Sequence, residues 1–187
     1  YAGAFTLFKT VDSGATWTEI SDWVQNQSLP YVHADQHNII FINSNKILFT
    51  NDGGVFLTTD GGSTFSHRNT GFNTTQFYST AIHPTSEYIL GGTQDNGTWK
   101  LPNPGIQVGT EVTGGDGAYV HIDQTDPSYQ FSSYVYNRVY RSTNGGNSFG
   151  LWYDLDDNGA NAGFFINPSV IDDTNKAFYA TWSTTQI

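Results

Sequence analysis

The 187-residue sequence contains no cysteine and no methionine, and only 7 of its residues are lysine or arginine. Without cysteine there can be no disulfide and no thiolate metal site. Against those 7 bases stand 17 acids, for a formal charge of −10. A surface of that sign repels phosphate backbones and anionic headgroups, which excludes nucleic acid as a partner. Membrane insertion is excluded separately, because no apolar run approaches the roughly 18 residues a spanning helix needs. Helix formers are scarce, and no 3.6-residue apolar period runs for a useful length. Tyr1 to Phe5 ("YAGAF") does not resemble a signal peptide, and with methionine missing the expectation is a piece of a longer polypeptide.

What is present is turn-rich and aromatic. There are 20 Gly, 13 Phe, 11 Tyr and 5 Trp, a composition that favours β-structure with tight turns. The acidic balance suits Ca²⁺, a cationic partner or a neutral ligand such as a glycan, and no cofactor other than Ca²⁺ is suggested.

Internal repetition sets the fold class. Segments opening at Ile42, Ile82, Ile122 and Ile166 start 40, 40 and 44 residues apart. Each has a polar turn, a short apolar-aromatic strand, a Gly/Asn/Asp turn and another strand, which reads as successive antiparallel hairpins. A four-stranded unit of that length is the size of a β-propeller blade. The sequence therefore predicts an all-β slice of a propeller over 1–187. Half-blades fall at 4–20 and 161–187, and blades at about 36–70, 76–113 and 117–153.

Three turns share one pattern, [ST]-x-[DN]-x-G-x-[ST]-[WF]: "TVDSGATW" (Thr10–Trp17), "TTDGGSTF" (Thr58–Phe65) and "STNGGNSF" (Ser142–Phe149). Asp12, Asp60 and Asn144 are placed to accept backbone N–H bonds inside the turn, and Gly supplies positive φ. The aromatics Trp17, Phe65 and Phe149 are expected to drop between sheets. This is an Asp-box, a structural hairpin between the third and fourth strands of a blade.

In an antiparallel meander, turns alternate between two rims. The boxes occupy one rim, and the turns between second and third strands, with the blade-to-blade connections, occupy the other. Onto that second rim the sequence puts "HADQH" (His33–His37), "NDGG" (Asn51–Gly54), "TTQFY" (Thr74–Tyr78), "QDNG" (Gln94–Gly97), "GGDG" (Gly114–Gly117) and "DLDDNGANA" (154–162). The candidate ligand-binding residues are His33, Asp35, His37, Asp52, Asp95, Asn96, Asp116 and Trp182, with Asp156, Asp157, Trp152 and Tyr153 nearby. Three readings stay open. The Asp and His residues cap their own turns. A His–Asp or Asp–His pair among His33, Asp35 and His37 chelates a metal, since i and i+2 on a strand lie about 6.5–7 Å apart on one face, whereas His33 to His37 spans roughly 13 Å, too far for one ion unless the strand bends. Or two of Asp35, Asp52, Asp95 and Asp116 are the acid and the base or nucleophile of a glycosidase, which needs them about 5–9.5 Å apart.

Taken together, "VHADQHNIIFI", "NDGGVFLTTDGGSTF", "GFNTTQFYSTAIHP", "ILGGTQDNGTW", "GGDGAYVHID" and "VYRSTNGGNSF" resemble the Asp-box (BNR-repeat) propellers of secreted and cell-surface bacterial proteins. Many of these carry a C-terminal type IX sorting domain and are sialidase-like or glycosyl-hydrolase-like. Their superfamily includes sialidases, two-propeller xyloglucan hydrolases and sortilin-type receptor domains. The resemblance covers about 30–150 and implies a secreted or surface location, with the rest of the chain's own polypeptide as one partner and a glycan or protein as another. Sialidases grip their substrate with three arginines. Here only Arg68, Arg138 and Arg141 exist, Arg138 and Arg141 have opposite-facing neighbours, and no "FRIP"-type motif occurs, so sialidase activity is not expected. The expected function is ligand binding on the channel-side rim, with glycoside hydrolysis and a structural spacer as the alternatives.

Overall fold

In the repeat that begins at Ile42, burial alternates along the second strand although Ile47, Leu48 and Phe49 are all apolar. Ile47, Phe49 and Asn51 are buried while Leu48 and Thr50 are half-buried, as a period of two on a pleated strand requires. The structure, a computed structural model, describes residues 1–187 except Asn26, Asn73, Pro104, Ile106, Gln107, 155–162 and 182–187. The described residues form an all-β chain, with a tight turn at Val135–Asn137 whose Tyr136 is left-handed (φ 55°, ψ 40°). No helix among them is long and apolar enough to cross a membrane. The chain divides into two compact units, 1–74 and 75–187.

The first unit holds two sheets. β1 (Ala2–Gly3), β2 (Leu7–Lys9) and β3 (Thr18–Glu19) pair in that order, and so do β4 (Gln36–Phe41), β5 (Ile47–Asn51), β6 (Gly54–Thr58) and β7 (Ser66–His67). The N-terminal sheet has a strand more than the half-blade expected at 4–20. Ala2 and Gly3 pair with Phe8 and Leu7, a match too short for alternation to reveal. Leu7, Val32, Ile47, Phe49 and Phe56 form the core, flanked by Tyr1, Ile20, Tyr31, Ile39 and Phe65. Each such Leu, Ile or Phe contributes roughly 1.5–3 kcal/mol by leaving water.

The second unit holds three. β8 (Phe77–Ile82), β9 (Ile89–Thr93), β10 (Thr98–Leu101) and β11 (Thr110–Thr113) make one four-stranded meander. Another is made by β12 (Val120–Ile122), β13 (Gln130–Ser133), β14 (Arg138–Ser142) and β15 (Gly150–Asp154). β16 (Ser169–Asp172) pairs with β17 (Ala177–Ala180). Each four-stranded antiparallel meander has the strand order of a propeller blade. Tyr88, Leu90, Val120 and Ile122 fill the space between the first two of these sheets, with Phe149 against them. A buried hydroxyl ladder crosses the same interface, where Ser132 Oγ lies 2.8 Å from both Thr98 Oγ1 and Thr113 Oγ1.

The boxes close as short-range hydrogen-bond cages. Asp60 Oδ1 accepts from the backbone N–H of Ser63 and Thr64 at 3.0 and 2.9 Å, and Thr64 Oγ1 donates to Oδ2 at 2.6 Å. Asp12 accepts from Thr16 N–H and Oγ1 in the same way. The Thr64 and Thr16 hydroxyls hold both carboxyls below the usual carboxylate range, Asp12 at about 2. Beyond the cage, boxes two and three latch sheets together. Gly61 O accepts from Tyr1 OH at 2.7 Å and Lys9 Nζ at 2.9 Å. At the matching position Gly145 O accepts from Lys100 Nζ at 2.9 Å and Tyr88 OH at 3.4 Å. Phe65 lies edge-on to Phe49 at 5.6 Å. Trp17 departs from the expected insertion and is 47% exposed, because the sheet packed on β1–β3 within this unit covers the side of Leu7 and Ile20.

Candidate functional site

β6 runs from the Asn51–Gly54 turn to the box at Thr58, so Asp52 and Asp60 sit at opposite ends of one strand. β10 and β14 likewise have a turn between second and third strands at the end away from the box rim. The candidates cluster at these turns, separately in each unit.

In the first unit Asp52 Oδ1 pairs with Nε2 of His37, an exposed imidazole. The Asp35 and Asp52 carboxylates each offer an oxygen within 4.8 Å of the other. The strand geometry expected of His33, Asp35 and His37 is absent. β4 begins only at Gln36, Asp35 takes left-handed φ of 60°, and a register shift falls between Gln36 and Asn38. His33 Nδ1 sits 3.2 Å from Ala34 O, and its ring fills the space beside Gly53, where a Cβ would come within 2.4 Å.

In the second unit the structure brings Asp95 and Asp116 together. Asp116 Oδ1 accepts the Asp95 N–H at 3.1 Å. Around them two backbone segments are stitched edge to edge: Gly97 N–H donates to Gly115 O at 2.6 Å, and Gly117 N–H to Thr93 O at 2.8 Å. This approach needs glycine, since a Cβ on Gly117 would lie 2.2 Å from Gly97 O, and one on Gly92 2.0 Å from Ala118 O. Asn96 donates to Gln94 O at 3.0 Å and accepts from Trp99 Nε1 at 2.5 Å. Trp182, Asp156 and Asp157 lie outside the described residues.

Tyrosines complete the rim: the sequence reading places Tyr78 in a rim connection without making it a candidate ligand, and it does not point to Tyr134. Burial, then Asp116 and Asp95, raise the Tyr78 hydroxyl pKa. Burial and Asp116 raise that of Tyr134, against a smaller opposing pull from Arg138. The Tyr134 ring covers Gly115, and Arg138 lies over it at 5.7 Å while its Nε donates to Asp154 Oδ2 at 2.8 Å. Beside it Tyr136 and Asn137 carry φ of 55° and 60°. That conformation is a primed turn, which normally takes Asn-Gly, and in a residue as bulky as tyrosine it is an outlier. "VYNR" occupies the repeat position of "NDGG" and "QDNG", which is the signal that could have found it. Trp152 instead turns away, between Phe131 and Phe178 and beneath Arg141.

No protein-family model matches the chain, and no curated protein matches it. Solved structures do. An ancestral GH74 enzyme is 17% identical with a TM-score of 0.47, over 97% of this chain and 25% of that one. The GH74 enzyme of Niastella koreensis is 19% identical with a TM-score of 0.41, over 79% and 23%. YCF48, solved bound to D1 peptide, is 10% identical with a TM-score of 0.40, over 95% and 72%. These neighbours are β-propellers. The chain spans about a quarter of the length of the two GH74 enzymes.

Proposed function

We propose that the chain is part of an extracellular, cell-surface or secreted propeller and binds a glycan or protein partner on the rim opposite its Asp-boxes. The observation that carries this reading is the Asp95–Asp116–Tyr78–Tyr134 group beside three left-handed residues that are not glycine, Asp95, Tyr136 and Asn137. Holding such backbone costs on the order of 1–3 kcal/mol per residue, and strain of this sort clusters at binding and catalytic sites. Carboxylates accept from ligand hydroxyls or amides, and tyrosine rings offer flat apolar faces with a polar tip. The Asp-box family resemblance, including a sorting domain elsewhere in the polypeptide, fits the same reading.

Screening the protein against glycan and peptide arrays tests it. Binding should appear and should fall at least tenfold in Asp116→Asn and Tyr134→Phe with the fold intact. No binding on either array, or binding indifferent to both changes, would leave the structural-spacer reading in its place. A second reading has one observation in its favour: the Asp35 and Asp52 oxygens approach within 4.8 Å, close to the roughly 5–5.5 Å of a retaining glycosidase pair. Turnover of polymeric glycosides that disappears in Asp35→Asn and Asp52→Asn would establish it.

A further inference from the structure

A different part of the second unit carries an inference independent of that rim. Of the three arginines in the sequence, Arg138 is committed to Asp154. Arg141, at the far end of β14, makes no hydrogen bond or ion pair among the described residues; its guanidinium carbon lies over the Trp152 ring at 5.2 Å. The backbone explains this placement. Register shifts between Val139 and Tyr140, leaving Trp152 as the extra residue of a bulge, and bulges re-aim side chains. Across the sheet, Arg141 faces Phe131 on one side and Gly150 on the other. A Cβ on Gly150 would meet nothing within 4 Å, so that flank of the guanidinium is open.

The open flank is a cavity of about 290 Å³ lined by Arg141, Thr143, Ser148, Gly150, Leu151 and Trp152. Among the described residues no carboxylate lines it, in a protein whose formal charge is −10. The third Asp-box accounts for its hydroxyl chemistry. In boxes one and two, Thr16 and Thr64 spend their hydroxyl protons on Asp12 and Asp60. In box three the residue is Asn144, and its Oδ1 is fixed as the acceptor by the N–H groups of Asn147 and Ser148. Its Nδ2 must then donate, and it does so to Ser148 Oγ at 2.9 Å. The bond has reversed, and the Ser148 O–H is left able to donate into the cavity beside Arg141. On the other flank, Asp123, Asp126, Asp172 and Lys176 line a separate cavity with Arg141; Asp123 is bonded to Lys176, and Asp126 and Asp172 cap their own turns, accepting from Ser128, Thr174 and Asn175.

We propose that Arg141, Ser148 and Thr143 form a carboxylate-binding site on the Asp-box rim, with Trp152 holding the guanidinium in position. A flat fork of N–H donors with an adjacent hydroxyl matches two coplanar oxygens. That planar two-point geometry, not charge alone, sets a carboxylate apart from a tetrahedral sulfate or a spherical chloride. Free carboxylates, sugar acids and acidic peptides share this chemistry.

With three arginines in the chain, the Nε–Hε correlations of the ¹⁵N-labelled protein report each one. Titration with sodium acetate, sodium glucuronate and N-acetyl-aspartate amide at constant ionic strength should move the Arg141 signal saturably and leave Arg138 in place. Glucuronate binding tightest identifies a sugar acid as the ligand, N-acetyl-aspartate amide an acidic peptide, and equal binding a free carboxylate. Asn144→Asp restores the residue of the other two boxes, so the fold is kept, and should weaken binding about two- to fivefold. Gly150→Val should abolish it by filling the flank. An Arg141 signal that never saturates, that follows sulfate or chloride equally, or whose affinity is unchanged in both variants overturns the site.

Discussion

His121 on β12 offers a pH test of how β16–β17 is held. Its Nε2 lies 2.9 Å from Ser169 Oγ on β16, and its ring meets Phe178 of β17 edge-on at 5.8 Å. Burial pushes its pKa down from 6.5 to about 4, against a smaller opposing pull from Asp173. The unfolded chain therefore takes up this proton near pH 6.5 and the folded chain only near pH 4. Between those values the unfolded state binds more protons, so stability falls as pH falls. The contribution is complete above pH 6.5 and is lost progressively toward pH 4. At 1.36 kcal/mol per unit, a drop of about 2.5 units sets a ceiling near 3.4 kcal/mol, and an imidazole that keeps some solvent contact should show roughly 2 kcal/mol. Urea denaturation of the protein and of His121→Gln, each at pH 7.5, 6, 5 and 4.5, isolates the effect. The variant lacks the titrating group, so carboxylate titrations cancel in the difference. The wild-type protein should lose roughly 2 kcal/mol more than the variant over this range, equivalent to about 4–8 °C in Tm for a chain of this size. Parallel pH profiles would mean that His121 is hydrated in the folded state and does not secure these strands.

Two further outcomes follow from the backbone. Gly92→Ala should destabilise by roughly 3 kcal/mol, the upper end for overpacking, because its Cβ would meet the Ala118 carbonyl at 2.0 Å; an urea midpoint within error of wild type would show that the two segments can separate at no cost. Asp60→Ala should lower Tm more than Asp60→Asn, since an amide oxygen can still accept from Ser63 and Thr64 as Asn144 Oδ1 does from Asn147 and Ser148, and equal losses in a thermal melt would assign the stability to charge in place of the cage.

The sequence makes the Asp-box legible because its chemistry is local: every donor and acceptor of the cage lies within four residues. Strand order is legible for the same reason, through turns of two to a few residues. "HADQH" misleads because alternation alone cannot show that Asp35 leaves the extended region just before Gln36, whose N–H bonds to Ala4 O. "VYNR" is hidden from a motif reading because no glycine marks it. The latches are out of reach of any short-range reading, since Tyr1 and Lys9 act 60 and 52 residues from Gly61, and Tyr88 and Lys100 act 57 and 45 residues from Gly145. The latches nevertheless give each box glycine a separate cause. The residue after the Asp or Asn is left-handed in all three boxes, with φ of 59° at Ser13, 66° at Gly61 and 70° at Gly145. A Cβ on Gly61 would have room, 3.6 Å from its nearest neighbour, so that glycine answers to backbone angle alone, which is why Ser13 can stand there. The following glycine answers to space as well: a Cβ on Gly62 would reach Ile20 at 2.8 Å, and one on Gly146 would reach Gln130 at 2.4 Å. In boxes two and three that second glycine lets the box close onto a neighbouring side chain; in box one a Cβ on Gly14 would have room, 3.9 Å from Trp17, so its φ of 93° alone accounts for the glycine.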